Sequence, residues 1–234
     1  MSYHRHTSSD ISLEFNIIFV LVFYLLIIAI KLWNQREKNK RDDAIFNKAI
    51  KDGYCFIEQS AEIPEIPYHF QLLNSYMHYP SFSTIVMGER NGINFGIMDF
   101  TYRTNSRRSS VILNTLWIIS CKDYYNINSF TLYSKANDFN TNPFIRVTFP
   151  EDKAFSSKFN LYGADEKTLK KLFNQTLREA FLRGNNYEFD FECSRGYFLV
   201  AARGANCPDF DYDARMQILE RMIIVYRTLL ARYK

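Results

Sequence analysis

Glycine and proline are scarce in this chain, eight and six in 234 residues. No internal repeat or low-complexity tract interrupts it, so long flexible linkers are excluded. Cysteine is thin as well: Cys55, Cys121, Cys193 and Cys207 form no C-x-x-C pair. That excludes a zinc ribbon or a redox dithiol and reads as free thiols in a reducing compartment. There is no G-x-G-x-x-G and no glycine-rich run ending in Lys-Ser/Thr, which removes the usual nucleotide loops. A G-x-S-x-G nucleophile elbow is also missing. His4 and His6 flank Arg5 in a polar arm, and His69 and His78 lie nine apart; neither pair has a third ligand nearby, so no metal and no cofactor is expected. The net charge of +4 is modest and concentrated in one cluster, which argues against a nucleic-acid partner.

What the chain does have is the run Ile17 to Ile30 (IIFVLVFYLLIIAI), without charge, Gly or Pro. Its fourteen residues cover roughly 21 Å as a helix, short of the ~30 Å hydrocarbon core of a bilayer. Extended over residues 13–33 it reaches ~31 Å, with Lys31 able to snorkel and Trp33 suited to the interface. The span therefore reads as one transmembrane helix whose partner is the lipid bilayer. A cleaved signal peptide fits poorly, because Asp10 and Glu14 precede the run and no small-x-small site follows it. Lys31, Arg36, Lys38, Lys40 and Arg41 follow the span and only Arg5 precedes it. This bias predicts an inner-membrane anchor with residues 1–12 as an external arm and the rest cytoplasmic. The same five cations are candidate contacts for anionic lipid head groups.

Residues 34–53 mix opposite charges with Ala44, Ile45, Ala49 and Ile50, as a juxtamembrane helix closed by Gly53 would. Residues 54–234 remain for one α+β domain. Aromatics make up 17% of the chain, which suits strands and a bulky core. A short strand is expected over Tyr54–Glu58, and prolines fix a loop at 63–67. Thr84 to Tyr102 reads as a hairpin around Asn91-Gly92. The apolar, β-branched run from Val111 to Cys121 predicts a central strand, followed by strands at Phe130–Ser134, Ile145–Phe149 and Ser156–Tyr162. Asp165 should cap an amphipathic helix running to Gly184. A second hairpin is expected from Tyr187 to Arg203, turning at Ser194-Arg195-Gly196. A final helix capped by Asp211 or Asp213 carries the stripe Leu219, Met222, Ile223, Tyr226, Leu229, Leu230 and Tyr233. The expected fold is a transmembrane helix followed by a largely antiparallel sheet, with two amphipathic helices in its C-terminal half.

Several local strings resemble a family of bacterial membrane-anchored proteins of uncharacterised activity. The shared features are a span, a charged helix ending in Gly-aromatic, and a strand core that reads Met98-Asp99-Phe100-Thr101-Tyr102 here. A further segment reads Phe149-Pro150-Glu151, Phe155-Ser156 and Phe159-Asn160-Leu161-Tyr162-Gly163-Ala164-Asp165-Glu166, then Leu172-Phe173. Ser109-Ser110-Val111 stands where members often carry Gln-Thr-Val. The resemblance implies organisation and brings no catalytic residue.

Carboxylates are the best chemical lead. Glu188, Asp190 and Glu192 share one face of a strand about 6.6 Å apart, a separation that permits acid/base work. The ordinary use of such a row is a solvated face paired with Lys or Arg on a neighbour. Asp99, with Tyr102 close by, sits in the apolar string FGIMDFTY, and a buried acid needs a partner. Arg107-Arg108-Ser109-Ser110 reads as a solvated loop with the option of holding phosphate. The arginines at 215, 221, 227 and 232 share no helix face, which weakens a membrane-surface helix. The sequence thus predicts a membrane-anchored interaction module with an unknown protein partner. An enzyme acting on a membrane-associated substrate through these carboxylates, or a pleckstrin-like lipid-binding domain, is the alternative.

Overall fold

The computed structural model describes residues 8–60, 70–74, 78–103, 111–120, 129–135, 144–183, 189–202 and 210–231. Two compact units divide the chain at Ala44/Ile45. The first is helical: helix α1 runs over Ser8–Lys51, and all of it up to Ala44 belongs to this unit. Its apolar side chains from Phe19 to Trp33 are exposed, Trp33 by 66%. Phe19–Lys51 holds a window of mean hydropathy 1.5 of which none is buried, long and apolar enough to cross a membrane.

The second unit begins with the last two turns of α1, whose Ile45 and Ala49 enter its core. The helix stops as expected at Gly53, in a Schellman arrangement: the Gly53 amide donates to the Ile50 carbonyl and the Tyr54 amide to Ala49, with Gly53 at φ +80°. Next come β1 (Cys55–Ser60), the short helix α2 (Gln71–Asn74), β2 (His78–Arg90), β3 (Ile93–Arg103), β4 (Val111–Ser120), β5 (Phe130–Ser134) and β6 (Ile145–Val147). The β2–β3 turn is Asn91 at φ 56° and Gly92 at φ 75°, the two positive φ values that a type I′ turn demands.

Two expectations change in the next stretch. The strand predicted from Ser156 begins only at β7 (Phe159–Gly163), because helix α3 (Lys153–Lys158) precedes it, with the Asp152 carboxylate accepting from the Phe155 amide. The single helix predicted after Asp165 is two, α4 (Glu166–Leu172) and α5 (Gln175–Arg183). Asp165 caps the first through the Thr168 amide, and the Asn174 side chain accepts from the Leu177 amide to start the second. Strands β8 (Phe189–Ser194) and β9 (Tyr197–Ala202) form the second hairpin, and helix α6 (Tyr212–Leu230) follows with Asp211 as its cap. The loops at 63–67 and 107–110, Gly184 and Tyr233 lie outside the described residues.

The nine strands among the described residues form one antiparallel sheet in the order β1-β2-β3-β4-β9-β8-β5-β7-β6. The β8–β9 hairpin sits at its centre, between β4 and β5. Both faces are covered. On one, Trp117, Phe191, Phe198 and Val200 pack with Leu177 and Phe181 of α5 and Leu219, Met222 and Tyr226 of α6. On the other, Leu116, Ile118, Leu199 and Ala201 pack with Phe70, Leu72 and Leu73. Every residue of β5, β7 and β8 is buried, so polar residues in these strands, Asp190 and Glu192 among them, lie inside the structure.

Candidate functional site

Asp99 and Thr115 are partners across β3 and β4, on the face that carries helix α6. The helix answers them with Arg215, one turn inside its N-terminus. Its Nη2 donates to Asp99 Oδ1 at 2.6 Å, and both side chains are 1% exposed. Thr115 Oγ1 donates to the same carboxylate oxygen at 3.2 Å, while Arg215 Nε donates to the Phe210 carbonyl at 2.8 Å. The indole of Trp117 donates to the Arg215 carbonyl at 3.1 Å, fixing that turn of helix to the sheet. Asp99 is thus a countercharged acid, buried among the described residues. The register of β2 shifts between Ser83, opposite Asp99, and Val86, and buried Thr84 within this bulge has φ 53°. A β-branched residue rarely adopts that conformation, so the strand is bent beside the ion pair.

Asp190 and Glu192 point to the opposite face, where the second core lies: their partners across β9 are Ala201 and Leu199. The expectation of a solvated row paired with Lys or Arg is corrected here, since Asp190 is 0% and Glu192 4% exposed. Backbone amides hold them. Asp190 Oδ1 accepts from the Ser134 amide at 2.8 Å, and Glu192 accepts from the Gln71 and Leu72 amides at 2.9 and 2.8 Å. Glu192 thereby caps α2, whose free amides need acceptors that buried surroundings would otherwise deny them. Glu188 lies outside the described residues; Tyr102 is opposite Ile112 in the β3–β4 ladder, and its side chain is not described. Since Asp99 and the β8 acids occupy opposite faces of one sheet, they cannot act on a common substrate.

The strings that carried the family resemblance also serve the scaffold. Arg178 of α5 is 8% exposed, donates from Nε to Asp152 Oδ2 at 2.7 Å, and stacks 4.6 Å above the Phe149 ring. The Phe155 amide, and then Arg178, hold the Asp152 carboxyl below its ordinary 3.8. Burial, reinforced by the Glu192 charge, pushes the Cys193 thiol up, so it is no ready nucleophile. Cys55, the other described free cysteine, is exposed. Among the described residues no three His, Cys, Asp or Glu side chains gather as a metal site.

On α1, Lys31, Arg36, Lys38 and Lys40 are exposed and Arg41 is half-buried. At about 100° per residue they fall all round the helix, a collar rather than a stripe. Lys40 pairs with Glu37 and Arg41 with Asp42, at 2.8 and 2.7 Å.

Arg215 is the residue that sequence reasoning missed. Its signal was present, because Arg215, Leu219, Met222 and Tyr226 share helical spacing, so an arginine stands on the buried stripe.

No family model and no curated protein matches this chain. Among solved structures, its fold is similar to the crystal structure of the mycobacterial trehalose monomycolate transport factor A, TtfA, with a TM-score of 0.52 and 8% identity, over 80% of this chain and 95% of that one.

Proposed function

We propose that this protein is a membrane-anchored, non-catalytic module that binds a protein partner at the membrane and serves the handling of membrane lipid. The observation that carries the reading is that Asp99, Asp190 and Glu192, the best chemical leads in the sequence, are committed to the scaffold in a chain headed by an apolar helix. The similarity to a lipid transport factor supports the lipid context. Residues 13–33 form the anchor, and the cations at Lys31, Arg36, Lys38, Lys40 and Arg41 keep the domain in the cytoplasm, close to anionic head groups.

Two experiments test this. Amine cross-linking of the full chain in its native membrane should yield a discrete adduct with another protein; recovery of the uncross-linked monomer alone overturns the module. A compartment-specific reporter fused after Lys234 should be active in its cytoplasmic form. Activity of the periplasmic form would reverse the orientation.

A further inference from the structure

Helices α5 and α6 leave an open groove of about 530 Å³ between them. Its apolar lining is Ala180, half-buried, Val225, buried, and Ile224, 62% exposed, beside the hydroxyls of Thr176 and Thr228. Ile224 is off the buried stripe of α6, so its exposure is not the edge of the core but an apolar side chain turned into the groove. The charged groups are unequal. Glu179 is engaged by Gln175 at 3.0 Å and by Arg183 at 3.4 Å. Arg221 pairs with no acid among the described residues, and Arg183 is largely solvated. The groove therefore sets a few apolar side chains beneath a rim of two arginines and one glutamate.

We infer that this groove seats an amphipathic, acid-bearing helix of a partner protein, a proposal that rests on the interaction-module reading and names its surface. Length supports it. The lining spans two turns of each helix, about 10 Å, and the i to i+7 anchors of an amphipathic helix rise over the same distance. Charge supports it as well: Glu or Asp flanking the anchors would meet Arg221 and Arg183, while an apolar anchor covers Ile224. Rim charges of this kind set the rate of encounter and reject partners of like charge. A helix laid there would make a third member of the α5/α6 layer.

The test places a benzophenone-bearing amino acid at position 224 of the full chain, and in a second chain at Ile145 of β6, which is 56% exposed. Both are irradiated in native membranes and the adduct is sequenced by mass spectrometry. The expected result is a protein adduct from position 224 that maps to an acid-bearing amphipathic segment. It falls roughly tenfold with the pair R183E and R221E and persists with R183K and R221K. Unchanged thermal melts of these surface variants show that folding is intact. An adduct of lipid mass, an adduct with a second copy of this chain, or insensitivity to charge reversal each overturns the inference. Partner adducts from position 145 with none from 224 overturn the groove and keep the module; no protein adduct from either position overturns both.

Discussion

The two faces of the sheet neutralise their buried acids by different means. Beneath α6, Asp99 meets a full countercharge from a residue 116 positions away, whereas on the opposite face Asp190 and Glu192 accept from backbone amides. A guanidinium left alone in a core carries an uncompensated charge, but an amide left alone loses only a hydrogen bond. The first arrangement therefore makes the docking of α6 all-or-none, and the second adjusts how firmly local pieces are held.

The largest effect should come from Arg215→Leu, which strands the Asp99 carboxylate. Breaking a buried pair from one side costs about 3–5 kcal/mol, so denaturant melts should shift by that amount or the domain should fail to fold. The double variant Asp99→Leu with Arg215→Leu should recover most of the loss. If it does not, the pair contributes more than mutual neutralisation. On the other face, Glu192→Ala should cost about 1–3 kcal/mol, with loss of hydrogen-exchange protection concentrated at the Gln71 and Leu72 amides. Glu192→Gln, which keeps an acceptor, should cost less. Asp152 combines both means, an amide and a guanidinium, and supplies a pH test. Its carboxyl is held below 3.8 in the folded chain, so its contribution is present above about pH 4 and fades as pH falls. Asp152→Asn should flatten the acid limb of the stability curve and change the neutral end through lost bonds alone. Smallest of all is the exposed Lys48–Asp213 pair at 2.6 Å. Lys48→Ala should leave the melting temperature unchanged within error, as exposed pairs contribute little.

Local chemistry made much of the fold legible. The Asn91-Gly92 turn, the bounds of β5 and the cap at Asp165 follow from residues within four positions of one another, and the last helix start was narrowed to Asp211 or Asp213, of which Asp211 is the cap. The break between α4 and α5 was hidden because Leu172 and Phe173 continue the apolar spacing, and only the capping bond of Asn174 interrupts it. The β8 acids were misread for a different reason. Alternation announces two faces, and the burial of both depends on what covers the second, here the Phe70–Leu73 segment. Asp99 was recognisable as a buried acid in need of a partner. Which arginine answers it is decided by how α6 lies across the sheet, and no local pattern encodes that.

The central position of the β8–β9 hairpin also bears on how the chain is made. Synthesis runs from the amino terminus, so β1–β4 and β5–β7 emerge before the hairpin that joins them. Until residues 189–202 leave the ribosome, β4 and β5 each wait with an unpaired edge, in the condition that invites misassembly of nascent chains. The keystone of this arch is laid almost last, and a ribosome stalled just before it would release two half-sheets rather than a smaller domain.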